Sequence, residues 1–145
     1  MSNAIDIAEL YQKMQAENTD ALLLPPPSFT VMKSEIIDYS QSSRSMTVRI
    51  PVLEAWLNPY RTMQGGMINA AIDNAVGPLS LLVAPVNMTR TMETKFLKPI
   101  TIAVGHIYVK AVLNEIRKKR LIFNATVEDV NGDVFCRSKV VNFML

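Results

Sequence analysis

One acidic residue, Asp73, interrupts the longest apolar stretch of the sequence, residues 67–84. A helix over this stretch would be apolar on all sides and therefore buried on most of them. Aspartate is a poor helix former, and burying its carboxylate is costly unless other groups satisfy it. An acid retained in such a helix is therefore a candidate functional residue.

Two glycines, Gly65 and Gly66, stand where this helix should begin. The first N–H groups of a helix have no partners within it, and that end carries partial positive charge. Because glycine has no Cβ, a ligand oxygen can approach these amides closely, as in sites for anions and for the oxyanions of acyl transfer. The glycines therefore predict an anion or oxyanion site at the start of the helix.

The two candidate features are separated along the helix. Asp73 lies about two turns beyond Gly65, which is roughly 10 Å at about 1.5 Å of rise per residue. Within one chain they are too far apart to contact the same carbonyl group. Either they are unrelated, or a second copy of the protein brings its Asp73 to this Gly65.

The rest of the sequence predicts one more helix and six strands. Residues 5–17 form an amphipathic helix, with Asp6 and Glu9 spaced as a capping pair, and a proline-rich connector at residues 25–27 ends it. Alternation and turn residues predict strands at residues 29–39, 44–52, 87–97, 104–115, 119–129 and 133–144. Asn131 and Gly132 predict a two-residue hairpin turn between the last two strands.

This order, two strands, a long helix and four strands, predicts an α+β fold. One helix cannot cover both faces of a six-stranded sheet, so the simplest arrangement curls an antiparallel sheet around the helix. Open strand edges and leftover apolar surface then favour an isologous dimer, in which each pair of glycines lies near the partner's helix.

Composition limits the class of protein. A length of 145 residues with 49% hydrophobic content suits one globular domain, and a formal charge of +2 predicts no binding to nucleic acid or to membranes. One cysteine, Cys136, excludes an internal disulfide framework and fits a reducing compartment. We see no signal peptide and expect a cytoplasmic protein. The polar Asn69, Asp73 and Asn74 argue against a membrane span at residues 67–84.

The sequence offers few alternatives for catalysis. His106 is the only histidine, so a Ser-His-Asp triad is excluded unless His106 is its histidine. No nucleophile elbow accompanies it. One histidine, one cysteine and dispersed acids provide no metal site of recognised spacing. We therefore expect no metal.

The spacing of the candidate residues resembles a known signature. Asn58, then Gln64-Gly65-Gly66, then Asp73 is similar to the motif of hotdog-fold acyl-CoA thioesterases of the phenylacetate-pathway (PaaI-like) type, where His-Gly-Gly is usual and Gln64 stands at the histidine. With the strand order, the resemblance extends from about residue 29 to the C-terminus. It implies a single hotdog domain over residues 1–145 that assembles as a homodimer, and as a dimer of dimers.

The resemblance also implies hydrolysis of a thioester. The amide of Gly65 or Gly66 would donate to the thioester oxygen, and Asp73 would either attack directly or deprotonate water. Asn58 would hold the loop or the attacking water, and Thr89 would assist that water. Coenzyme A is part of the substrate, and no separate cofactor is implied.

Gln64 would contact the carbonyl in place of the family's histidine, but it cannot titrate. Purely structural interpretations stand beside these roles: a helix residue bonded to neighbouring backbone for Asp73, a loop cap for Gln64, a strand former for Thr89 and a tight turn for the glycines.

Basic residues could bind the phosphates of coenzyme A. Arg117 and Lys118 belong to a basic run at residues 117–120, with Arg61 and Arg90 as rivals. The default interpretation of the run is a solvated hairpin tip.

Two function classes remain. The first is a thioesterase for medium-chain or aromatic acyl-CoA, with an adaptable pocket built by four methionines: Met63, Met67, Met88 and Met92. The second is a hotdog protein that binds an acyl-CoA or fatty acid without hydrolysing it, because Gln64 replaces the histidine. A dehydratase is a weaker hypothesis, since those hotdog enzymes rely on a catalytic histidine.

Overall fold

The structure, a computed structural model, describes residues 5–16, 18 and 20–145. It contains three α-helices, α1 (Ile7–Ala16), α2 (Pro27–Val31) and α3 (Gly65–Val83). It also contains six strands, β1 (Glu35–Ser40), β2 (Ser45–Pro51), β3 (Asn87–Phe96), β4 (His106–Arg117), β5 (Arg120–Glu128) and β6 (Val134–Met144). The predicted order of two strands, a long helix and four strands is confirmed.

The six strands form one antiparallel sheet in the order β1-β2-β4-β5-β6-β3. After α3 the chain enters β3 at the edge opposite β1, so β3 has a neighbour on one side only, and the sheet is not closed. Helix α3 packs on the inner face of the sheet, against β2, β3, β4 and β5. The α+β arrangement of an antiparallel sheet curled around a central helix is therefore confirmed.

Helix α1 forms for the predicted reason. The carboxylate of Asp6 accepts a hydrogen bond from the Glu9 amide at 3.1 Å, which satisfies one of the unpaired donors of the first turn. Leu10 and Met14, one turn apart, are buried on one face. Residue 17, the predicted end of this helix, lies outside the described residues.

The prediction that the first strand begins at residue 29 is wrong. Residues 29–31 belong to α2, which starts at Pro27, where a fixed φ and a missing N–H suit the first position of a helix. Phe29 is 5% exposed and anchors this short helix in the core. Lys33 then turns the chain with a φ of +53°, and β1 starts at Glu35.

The prediction of a two-residue turn at Asn131 and Gly132 is wrong, although β5 and β6 do form a hairpin. Such a turn has positive φ at both central residues, and here only Gly132 has it, at +87°. The carboxylate of Asp129 instead accepts from the amides of Asn131 and Asp133, each at 2.9 Å. This capping by Asp129 lengthens the connection to five residues, 129–133.

Helix α3 is buried on most sides, as predicted, and of its 19 residues only Gly66 and Asp73 are exposed in the single chain. Ile72, Val76 and Leu79 are fully buried in the core, whereas Asp73 is exposed in the single chain. Of the helices that the structure describes, α3 alone is long and apolar enough to cross a membrane, and half of that stretch is buried within the fold. Partial burial under a sheet is the pattern of a core helix.

Candidate active site

One row of helix α3 faces the inner side of strand β3. Gly65, Asn69 and Asp73 are spaced four residues apart, so they lie on the same face of the helix. A Cβ built on Gly65 would lie 3.4 Å from the ring of Phe96. The Thr94 hydroxyl donates to Oδ1 of Asn69 at 2.6 Å, and the Thr89 hydroxyl donates to Oδ1 of Asp73 at 2.8 Å.

The start of α3 presents two open backbone donors. No described residue accepts a hydrogen bond from the N–H groups of Gly65 and Gly66. The first helical residue is preceded by Gln64, whose backbone is extended and whose side chain makes no capping hydrogen bond. A Cβ on Gly66 would meet nothing within 4 Å, so this corner is open to a ligand atom.

A cleft of about 270 Å³ opens in front of Gly65. Six of its nine lining residues are apolar, Met63, Ile68, Phe96, Leu97, Pro99 and Ile100, but polar and apolar atoms contribute about equally to its exposed surface, and Lys98 supplies a charge. Neither Gln64 nor Asp73 lines it. The cleft therefore joins a partly apolar surface to an end of a helix that favours negative charge.

The side chain of Asn58 fastens the loop that leads into this corner. Its Oδ1 accepts from the amides of Tyr60 and Thr62 at 2.9 and 3.1 Å, and its Nδ2 donates to the Thr62 hydroxyl at 2.9 Å. Arg61, at the tip of the loop, has a φ of +62°. Of the two interpretations of Asn58, this geometry favours holding the loop over binding water.

Asp73 is held by a side chain rather than by backbone. Thr89, on the neighbouring strand, is its hydrogen-bond donor, so these two candidate residues lie next to each other. Eight residues separate Asp73 from Gly65, which is about 12 Å along the helix axis. A single chain therefore does not bring the acid to the glycine amides.

The basic candidates lie at different ends of the molecule. Arg61 belongs to the loop before Gly65. Arg117 pairs with Glu115 at 3.0 Å, and Lys118, with a φ of +56°, is exposed at the β4–β5 tip, as the default interpretation of the run expects. Arg90 lies over the ring of Phe143, 4.5 Å from its centroid.

The strand register shows which of these residues are near the cleft. The strand β3 ends beside the cleft at Phe96, whereas its other end pairs Met88 with Phe143, which in turn pairs with Arg120 of the tip. These two ends are about 26 Å apart, at about 3.3 Å per residue. Within one chain, Arg117 and Lys118 are therefore remote from Gly65.

The methionine pocket is only partly formed. Met63 is 3% exposed and lines the cleft, and Met67 and Met92 are half-buried. Met88 is 62% exposed and, as the neighbour of Thr89 in a strand, faces the outer side of the sheet. The expectation that Met88 lines the pocket is therefore wrong for this chain.

The single cysteine provides no nucleophile. Cys136 pairs with Phe96 in the sheet and is fully buried. Burial raises the pKa of its thiol to about 11, although a hydrogen bond from the Leu97 backbone acts in the opposite direction. At neutral pH the thiol is protonated and out of reach, as expected for a core residue.

Two residues of this site were missed from the sequence. Asn69 was noted only as a polar break, although its spacing midway between Gly65 and Asp73 would have identified it as part of their row. Lys98 follows the end of β3 and lines the cleft, and its position depends on a turn that no motif marks.

Sequence comparison finds no matching family model and no matching curated protein. Solved structures are similar over most of the chain. A phenylacetic acid degradation-related protein from Ralstonia eutropha, described as a candidate thioesterase, matches with a TM-score of 0.78 at 17% identity, over 91% of this chain and 98% of that one.

Two further structures extend the likeness. The E. coli PaaI protein from the phenylacetic acid degradation operon matches with a TM-score of 0.75 at 12% identity, over 94% of this chain and 95% of that one. A Streptococcus mutans protein bound to acetyl-CoA matches with a TM-score of 0.71 at 14% identity, over 88% and 95% of the two chains. This chain has the hotdog fold. In the hotdog fold of this chain, the row on α3 and the inner face of β3 form the candidate active site.

Proposed function

We propose that the chain is a single hotdog domain that hydrolyses the thioester of an acyl-CoA. The observation that carries the proposal is the pair of open amides at Gly65 and Gly66. They lie at the head of the cleft and on the same helix as the hydrogen-bonded carboxylate of Asp73. An amide pair at a helix N-terminus stabilises an oxyanion, and a carboxylate activates water. The likeness to thioesterases and to an acetyl-CoA complex supports this chemistry.

The site requires a second copy of the chain. Strand β3 is an edge strand of ten residues, and no strand among the described residues pairs with its outer backbone groups. Pairing two copies about a two-fold axis at this edge sets the two α3 helices side by side in opposite directions. The partner's Asp73 then faces Gly65, and the partner's Gly65 faces Asp73. We propose this homodimer, which pairs again as a dimer of dimers.

The proposed reaction follows from these positions. The thioester carbonyl oxygen accepts a hydrogen bond from the amide of Gly65 or Gly66, and negative charge collects there as the tetrahedral intermediate forms. The partner's Asp73 either removes a proton from the attacking water or attacks the carbonyl itself. In the first route the carbon–sulfur bond of the intermediate breaks, the acyl group leaves as a carboxylic acid, and the proton held by Asp73 passes to the coenzyme A thiolate. In the second route the bond breaks to leave a mixed anhydride with Asp73, which water hydrolyses to the carboxylic acid and free Asp73, and a proton of that water passes to the thiolate. No metal or separate cofactor takes part.

Thr89 and Asn58 act on the groups that react. The Thr89 hydroxyl fixes one carboxylate oxygen of Asp73, so that the other can point to the water. Asn58 holds the loop that precedes Gly65. Gln64 is exposed beside the amides and can donate to the carbonyl, but it cannot supply a proton as histidine does.

Substrate selection is proposed to come from the cleft. Its six apolar lining residues and a volume of about 270 Å³ suit a medium-chain or aromatic acyl group. Arg61 and Lys98 lie on the same side as the cleft and are proposed to meet phosphates of coenzyme A. Arg90, Arg117 and Lys118 can serve this cleft only from the partner, because antiparallel pairing of β3 brings the partner's opposite end alongside. We propose a soluble, cytoplasmic enzyme.

The alternative is an acyl-CoA or fatty-acid binding protein without turnover. The position of Gln64 favours it, because a glutamine replaces the histidine of the similar motif and its side chain makes no capping hydrogen bond.

Hydrolysis of a panel of acyl-CoAs distinguishes the two functions. We expect Asp73→Asn to lower kcat about 10²- to 10⁴-fold, whereas the same change at Asp38, exposed on the far edge strand β1, leaves it unchanged. Saturable binding of acyl-CoA by both proteins with no hydrolysis by either would establish the binding protein instead.

A further inference from the structure

The midpoint of the row on α3 is occupied by a polar residue that the proposed reaction does not use. Asn69 lies four residues after Gly65 and four before Asp73, on the same helix face. It is half-buried, and its neighbours Ile68, Ala71 and Ile72 are buried core residues. A polar side chain at such a position calls for a partner.

One hydrogen-bond partner of Asn69 lies within the same chain. The hydroxyl of Thr94 donates to Oδ1 of Asn69 at 2.6 Å, and Ser138, 5% exposed, lies 2.9 Å from the same hydroxyl. Because Thr94 gives its only proton to Asn69, the Ser138 hydroxyl must donate to Thr94. This chain fixes the amide of Asn69. No described residue accepts a hydrogen bond from its Nδ2 group.

Symmetry determines what the free donor meets. In two antiparallel helices related by a two-fold axis, the residue at the axis faces its own copy in the partner. A residue four positions before the axis faces the partner's residue four positions after it. If the partner's Asp73 faces Gly65, the axis passes through the residue halfway between them. That residue is Asn69, so each copy of Asn69 faces its own equivalent.

We propose that the two Asn69 carboxamides meet across the two-fold axis and set the register in which the partner's Asp73 reaches Gly65. This inference rests on the proposed function. Each Nδ2 donates to the partner's Oδ1, which keeps one lone pair for Thr94. Asn69 is therefore a positioning residue, comparable to the single buried asparagine that sets the register of a coiled coil.

The distribution of charge also favours a second copy of the chain at this face. The positive N-terminal end of each α3 faces the partner's carboxylate, and the arrangement occurs twice in the dimer. A slip of one helical turn would displace the carboxylate by about 5.4 Å from the glycine amides and would separate the two carboxamides. The amide pair and the two charge pairs therefore favour the same register.

Cross-linking through a cysteine at the axis tests the contact without reference to activity. The native Cys136 is fully buried, so a cross-link under mild oxidation comes from the introduced thiol. We expect Asn69→Cys to form a disulfide-linked dimer in more than about half of the chains, because residues at the axis fall within the roughly 7 Å that a disulfide allows between Cα atoms. Asp73→Cys is the matched control. Its two copies would be about 12 Å apart along the axis and should not link.

The result that would overturn the inference is a folded, dimeric Asn69→Cys protein that stays unlinked, or equal linking by the Asp73→Cys control. Linking at position 69, together with a wild-type protein that hydrolyses no acyl-CoA, would leave the contact standing and reject the proposed function. Hydrolysis of acyl-CoA by a protein that does not link at position 69 would support the proposed function and reject the contact.

If the Asn69→Cys variant does not fold, a second measurement tests the positioning role of Asn69. Thr94→Val removes the hydroxyl that orients Asn69, and Thr94→Ser retains it. Since a misplacement of about 1 Å can cost about 10²-fold in rate, we expect Thr94→Val to lower kcat about 10- to 100-fold at unchanged KM, and Thr94→Ser to restore most of it. Dimers of Thr94→Val with full kcat, or no difference between the two variants, would contradict the positioning role.

Discussion

Mixed dimers of two inactive variants should recover activity if Asp73 works on the neighbouring copy. One copy carries Asp73→Asn and the other carries Gly65→Val. In the proposed dimer, each site takes its glycine from one chain and its acid from the other. The first site of the mixed dimer then contains Gly65 and the partner's Asp73, both natural, and the second site contains both substitutions.

The expected recovery follows from this count. One intact site out of two gives about half of the wild-type kcat per dimer, whereas each parent variant has no intact site. One chain cannot complete a site by itself, because its Gly65 and Asp73 are about 12 Å apart along α3. A reacting carboxylate must approach its carbon to about 3–3.5 Å. Gly65→Val should fold, since the three atoms nearest to its added Cβ belong to the exposed, movable ring of Phe96, the closest of them at 3.4 Å.

The assay uses two different affinity tags, sequential purification of the mixed dimer and initial rates of acyl-CoA hydrolysis. The matched control places both substitutions in one copy and pairs it with a wild-type copy. In the proposed arrangement neither site of this control is intact, so its activity should be lost. Half activity in the control and none in the first mixture would refute the reasoning, because that outcome requires the acid and the glycine of one chain to act together.

Three further perturbations probe the site and the fold. Thr89→Val removes the hydrogen bond to the candidate acid and should lower kcat/KM about tenfold, whereas Thr91→Val, exposed on the same strand, should change it less than about twofold. Ile72→Ala, at a fully buried position, should lower the free energy of unfolding by about 2–5 kcal/mol in denaturant titrations. The control Ile102→Ala, at a position 52% exposed, should lower it by less than about 0.5 kcal/mol. Burial raises the pKa of the Cys136 thiol from 9.0 to about 11, so the unfolded chain loses this proton first and the free energy of unfolding falls as pH rises through that range. The urea midpoint of the wild type should therefore decline relative to that of Cys136→Ala between pH 9 and 11, and a constant difference would contradict the assignment.

The sequence predicted the elements whose patterns are local. Alternation identified β2 and β5, and the two glycines marked the first residues of α3. The α2 helix was missed because Phe29, Thr30 and Val31 are typical strand formers, and the burial of Phe29 and the geometry of the preceding proline override that preference.

The sequence identified two candidate site residues that the fold brings together. Asp73 and Thr89 were identified and do form a hydrogen bond. The exposure of Asp73 in the single chain was not predicted, because the apolar residues on either side of it in the sequence favoured a buried position. The five-residue connection at 129–133 was mistaken for a tight turn because Asp129, which caps it, precedes the glycine by three positions.

The unpaired outer edge of β3 has a kinetic consequence. If neither copy holds a complete set of reactive groups, a newly made chain is inert until it meets another. At concentrations below the dissociation constant, the number of working sites then grows with the square of the amount of protein. Dilution would switch such an enzyme off without any effector, and doubling its expression would raise its output about fourfold.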